Sequence, residues 1–167
     1  MKTISMRRLG IVLVAAVSCW GVGGDLYAAG DIFERVSLRG LTAVQVVVED
    51  LAPDIAQDGL NREHLKAAVE QQLQRAAIAV EPQAEHALYI HLGTAKNEDG
   101  SYSYGLSLQL LQLVLLLRNP GLVTWGATWS IDQVGSVTPA NVSTIESLIT
   151  RGVNAFIKDY QAANPTG

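Results

Sequence analysis

Two long segments in which apolar residues alternate, Tyr102–Leu117 and Val123–Ile131, flank the tetrapeptide Asn119-Pro120-Gly121-Leu122. Alternation with a period of two is the mark of a strand with one buried face. Pro and Gly at the two central positions suit a type II turn. The pair therefore reads as a long hairpin, which needs helices or further strands to cover it. A turn centred on Pro120-Gly121 sets Leu116 opposite Trp125, Gln112 opposite Trp129 and Leu110 opposite Ile131. One face then collects Leu106, Leu108, Leu110, Val114, Leu116, Val123, Trp125, Ala127, Trp129 and Ile131, which makes a core face for helices.

The second face is the unusual one. It begins polar, with Ser103, Ser107 and Gln109, and then becomes Leu111, Leu113, Leu115 and Leu117, opposed by Thr124, Gly126, Thr128 and Ser130. An antiparallel sheet with helices on one side should show water a polar second side. Each leucine would contribute about 1.5–3 kcal/mol if covered, and an uncovered stripe of this kind usually marks an interface or an aggregation risk. Two other readings stay open. The segment Asp31–Arg39 has no assigned partner and would be available as a cover. Leu106–Leu117 would also form a helix, since leucine favours helices and Asn119-Pro120 would stop one.

The rest of the chain supplies the covering elements. Val44, Val46, Val47 and Val48 within Leu41–Ala52 give a β-branched strand. Pro53, Asp54 and Asp58-Gly59 mark a loop. A helix follows over Arg62–Ala76, with Asn61 as N-cap and Leu65, Ala68, Val69, Leu73 and Ala76 on one face. Ile78–Val80 and Leu88–Leu92 are strands, and Asn97-Glu98-Asp99-Gly100 is a turn. Val142, Ile145, Leu148, Ile149, Val153, Phe156, Ile157 and Tyr160 recur at three- and four-residue steps, an amphipathic helix of about five turns. Ser143 and Glu146 suit a capping box, and Thr138-Pro139 offers an earlier start, which leaves the first turn open. Gly152, costly inside a helix by ~1 kcal/mol, implies a neighbour packed close against it. The order β-α-β-β-β-β-α predicts an α+β, two-layer sandwich: a mixed, mostly antiparallel sheet with two helices on one face and a long hairpin.

The first residues read as an address. Lys2, Arg7 and Arg8 precede the short apolar run Leu9–Trp20, and small residues follow to Ala28-Ala29. That order is a secretory signal peptide over residues 1–28, leaving 29–167 as a single domain. Cys19 offers a second site: Ala16-Val17-Ser18-Cys19 resembles a bacterial lipobox, in which residues 1–18 are removed and Cys19 is lipidated. Soluble export and lipid anchoring both remain open. Cleavage after Ala28 takes the net charge from −4 to −6 by removing Lys2, Arg7, Arg8 and Asp25. An acidic chain of this kind is unsuited to nucleic acid, whose phosphates need a basic surface. It carries 49% hydrophobic and 17% charged residues, which excludes general disorder.

No catalytic motif emerges. His64, His86 and His91 lack zinc-site spacing. Neither Asp54 with Asp58 nor Asn97, Glu98 and Asp99 has the ligand count of a calcium loop. There is no Gly-x-Ser-x-Gly elbow and no glycine-rich phosphate loop after a strand. No cofactor and no metal are expected.

The segments SLRGLTAVQVVVEDL (37–51), DGLNREHL (58–65), LYIHL (88–92), LLLRNPG (115–121), ATWS (127–130) and VNAFIKDYQAANP (153–165) together resemble a group of small, uncharacterised exported bacterial proteins. The resemblance implies a shared fold and export, and no activity. More loosely, and as fold-level analogy only, the element order is similar to that of envelope accessory lipoproteins and periplasmic binding modules. The expectation is an exported, non-enzymatic cell-envelope protein, in the periplasm or at the outer membrane of a Gram-negative bacterium. It would act as an interaction or assembly module through Leu111, Leu113, Leu115 and Leu117. The partner would be another protein, a second copy, or a lipid or membrane surface. The alternative is a domain for a small apolar ligand or lipid, with a pocket near Trp125, Trp129 and Tyr160. An enzyme comes third.

Overall fold

The computed structural model describes residues 32–165, and the cleavage sites and Cys19 lie outside them. The chain runs α1 (Ile32–Ser37), β1 (Ala43–Val48), α2 (Pro53–Gln57), α3 (Arg62–Arg75), β2 (Ala79–Val80), β3 (Ala87–Lys96), β4 (Tyr102–Leu116), β5 (Asn119–Val137) and α4 (Thr144–Ala163). It is an α+β fold built on one mixed sheet of order β2-β1-β3-β4-β5. β1 runs parallel to β2 and β3, while β3, β4 and β5 are antiparallel. Residues 106–117 are therefore strand and turn, and the helical alternative is set aside.

One face of the sheet buries Val44, Val46 and Val48 of β1, Leu88, Ile90 and Leu92 of β3, and Leu106, Leu108 and Leu110 of β4. Against it lie Leu65, Val69 and Leu73 of α3 and Ile145, Leu148, Ile149, Val153 and Phe156 of α4, in one continuous core. Helical and strand periodicities meet here, which is why the two long helices and this face were readable from spacing.

Both helices are held at their ends by identifiable bonds. The Asn61 side chain accepts from the His64 N–H, as the N-cap reading predicted. α3 stops at a left-handed residue: Ala77 has φ 59°, and Ile78 N–H donates back to the Leu73 carbonyl. That is a Schellman closure with alanine where glycine is usual. At the start of α4 the chain coils from the earlier of the two expected sites, Thr138-Pro139, and not from a capping box at Ser143. Ser143 is itself helical and makes no capping bond, because a 3-10 turn, Pro139–Asn141, leads directly into the helix. Gly152 sits where a Cβ would come within 2.8 Å of a Leu108 methyl, so helix and sheet touch at that point. The segment 53–57, read as loop, forms the short helix α2, which buries Ile55.

α1 closes the outer edge of the sheet. Ser37 Oγ donates to the Thr128 carbonyl, Ser130 Oγ donates to Glu34, and Arg35 reaches Asp159 on α4. Covering an edge strand with a helix is a common protection against stray pairing. The described part of that segment, 32–39, thus has a partner, namely β5 and α4, and leaves Leu113 and Leu115 at 51% and 62% exposed.

Candidate functional site

The hairpin turn is displaced from Pro120-Gly121. β4 ends at Leu116, β5 begins at Asn119, and these two pair, so the turn is Leu117-Arg118. Gly121 does not take the positive φ that a type II turn there would need. Residues 120–122 instead bulge between the pairs Leu116–Asn119 and Leu115–Val123. A bulge on an edge strand is a place where proline loses no ladder bond.

The second bulge decides which side chains face outward. Leu110 pairs with Trp129 and Leu111 pairs with Ala127, so Thr128 is the extra residue. One extra residue reverses the parity of everything beyond it. Trp129 and Ile131 stay on the helix side, as expected. Ala127, Trp125 and Val123 cross to the other side, opposite Leu111, Leu113 and Leu115, while Gly126 and Thr124 take the helix side opposite Gln112 and Val114. The expected pairs Leu116–Trp125, Gln112–Trp129 and Leu110–Ile131 are replaced by Leu113–Trp125, Leu110–Trp129 and Leu108–Ile131.

The leucine stripe consequently gains apolar partners in place of polar ones. Leu113, Leu115, Val123 and Trp125 are all more than half exposed, Leu117 at the apex is 97% exposed, and Leu111 is half-buried at the base. The pairing of β3 with β4 begins at Ala87–Leu111. Beyond Leu111 the hairpin has no third strand among the described residues and projects as a two-stranded arm, a form that is marginal by itself in water. The sequence identified the leucines but not Leu122, Val123 and Trp125. Alternation alone cannot show a bulge, and Thr128 carries no residue-type signal for one.

The three residues proposed as a pocket are not brought together. Trp129 is 2% exposed, its ring stands edge-on to Phe156 at 5.1 Å, and its Nε1–H donates to Asp159. Trp125 is on the opposite face of the sheet. Tyr160 donates its hydroxyl to the Leu41 carbonyl, and neighbouring Asn164 bonds the Leu38 carbonyl and the Gly40 N–H, so this end of α4 is a clasp on the chain entering β1. A shallow cleft of about 90 Å³ lies instead between α3 and α4, lined by His64, Leu65, Val69, Glu146 and Ile149. That is well below the ~300–1,000 Å³ of ordinary ligand pockets.

The polar part of the open face holds a titratable cluster. Glu49, just after β1, takes bonds from His91 Nδ1 and from the Tyr89 hydroxyl. Those bonds, His91 first, hold the Glu49 carboxyl below its ordinary range, and the same carboxylate pushes the Tyr89 phenol up. Ser107 is the cross-strand neighbour of His91. Its Oγ is shielded from solvent and makes no hydrogen bond. The carboxylate, imidazole and hydroxyl are thus not linked as a nucleophilic relay, which needs the hydroxyl bonded to the ring. Among the described residues no three His, Cys, Asp or Glu side chains converge on a metal position, and no helix is long and apolar enough to cross a membrane.

No family model and no curated protein matches the chain. Among solved structures, a minor lipoprotein from Acinetobacter baumannii is similar at a TM-score of 0.30 and 8% identity, over 75% of this chain and 92% of that one.

Proposed function

We propose that this chain is an exported, non-enzymatic docking module of the bacterial cell envelope, and that the projecting β4–β5 arm is its binding element. The observation that carries this reading is the arm itself: Leu113, Leu115, Leu117, Leu122, Val123 and Trp125, each at least 46% exposed, gathered at the end of one hairpin. Large exposed side chains scattered singly need no explanation, but a contiguous group does. Export is supported by the signal-peptide order of the first 28 residues, and residence in the cell envelope is the location we propose for the exported chain.

Lysine at positions 113 and 115 tests the reading. In Leu113→Lys/Leu115→Lys the fold should persist within about 1 kcal/mol, because both sites already face solvent, while association through the arm is lost. A loss of several kcal/mol in urea unfolding would mean that the stripe is core, and the docking reading would fall.

A further inference from the structure

The arm combines its exposed apolar side chains with an unusual charge pattern. Between Asp99 and Asp132 the sequence has no acidic residue, and Arg118 is the sole charge in that interval, on a chain that is otherwise acidic. Arg118 sits in the two-residue turn beside Leu117, at the extreme end of the arm. The side chains are also graded along it. Leu117 is at the apex, Leu115 and Val123 form the next outward pair, and Leu113 and Trp125 the one behind. Trp125 therefore lies about four residues back from the tip, or ~13 Å of strand.

Pairing by an added strand is disfavoured on this edge. Pro120 has no N–H, residues 120–122 are bulged out of the ladder, and α1 occupies the edge at Thr128 and Ser130. Such features keep an edge strand from recruiting another. What remains open among the described residues is the tip, one face and the short β4 edge over residues 112–116, apolar at the end, cationic at the apex, with an indole set back from it.

Resting on the docking reading above, we propose that the arm's occupant is an anionic lipid surface, on which the arm lies with its open face down, so that Leu117 and Leu122 enter at the tip end, Arg118 reaches the headgroup phosphates and Trp125 sits at the interface. The chemistry is complementary in each part. Apolar side chains gain by leaving water, indoles favour the headgroup level, and a cation is attracted to an anionic leaflet while the acidic body is held off it. Entry is shallow, so the polar backbone of the turn stays at the headgroups, where it finds partners.

The test uses the protein isolated from an exporting host, with Trp20→Phe so that any retained leader contributes no indole. Vesicles of phosphatidylcholine, with or without one-third phosphatidylglycerol, carry brominated acyl chains as contact quenchers. The expected result is quenching of Trp125 by the anionic vesicles, weakened by salt and absent in Trp125→Phe. Arg118→Glu, at an exposed turn, should retain the fold and lower the affinity that this quenching reports by about ten- to thirtyfold. A chain that floats with vesicles while Trp125 stays unquenched is attached by another part and overturns the proposal. Trp125 quenching that is equal on neutral vesicles and indifferent to Arg118→Glu overturns it too. If the arm ignores lipid but light scattering shows a dimer that Leu113→Lys disperses, the lipid proposal fails and the docking reading stands.

Discussion

Trp125 and Trp129 are four residues apart on one strand, and the bulge at Thr128 sends them to opposite faces. Alanine at each position should therefore have very different consequences. Trp129 is 2% exposed, meets Phe156 at 5.1 Å and donates to Asp159 at 3.0 Å. Removing a buried aromatic of that size costs about 3–5 kcal/mol, through lost transfer energy and the cavity left behind. Trp125 is 55% exposed on a face that none of the described elements covers, so Trp125→Ala should cost under ~1 kcal/mol. The gap of at least ~2 kcal/mol corresponds to about 5–10 °C in melting temperature for a domain of this size. Urea and thermal unfolding followed by far-ultraviolet circular dichroism measure it without relying on the indoles. Iodide quenching gives a second reading, with Trp125 accessible and Trp129 protected. Equal losses of several kcal/mol for the two variants would refute the bulged register and restore the one centred on Pro120-Gly121.

Four further outcomes follow from the geometry. Asp159→Ala should destabilise by about 1–3 kcal/mol, because it strands the buried Trp129 N–H and releases Arg35 of α1; Asp159→Asn should recover part of that loss in the same unfolding assay. Ala77→Gly should stabilise by about 0.5–1 kcal/mol, since the left-handed conformation costs alanine more than glycine. Gly152→Val should lose about 1–3 kcal/mol by driving α4 off Leu108, whose methyl lies 2.8 Å from where a Cβ would stand. Glu49, held low by His91 and Tyr89, should add stability that is complete above the ordinary carboxylate value of 4.5 and is lost as pH falls below it; Glu49→Gln should flatten the unfolding free energy measured between about pH 5 and 3.

How much of this was readable from sequence depends on the kind of signal. The helices α3 and α4 declared themselves through apolar steps of three and four, and Asn61 through its place before Leu65. Gly152 implied a close neighbour and has one in Leu108. The strands around Val46 and Ile90 followed from alternation and β-branching. Failure came where one residue changes the count. Pro120-Gly121 carries stronger turn chemistry than Leu117-Arg118, yet the chain turns at the weaker pair and absorbs the proline in a bulge. Thr128 interrupts the ladder with no residue-type mark, and so Val123, Trp125 and Ala127 were assigned to the core. The short helices α1 and α2 lack the length that makes periodicity visible. At the other end of the scale, the Glu49–His91–Tyr89 contact joins two strands, and no spacing within either one announces it.

The most direct test is paramagnetic relaxation by an inert water-soluble agent, read by NMR on the methyls and indoles of the dilute protein in the absence of lipid. The geometry predicts strong effects at Leu113, Leu115, Val123 and Trp125, and weak ones at Leu108, Leu110 and Trp129. Protection of Leu113, Leu115 and Trp125 at the level of Leu108 would contradict an open apolar arm.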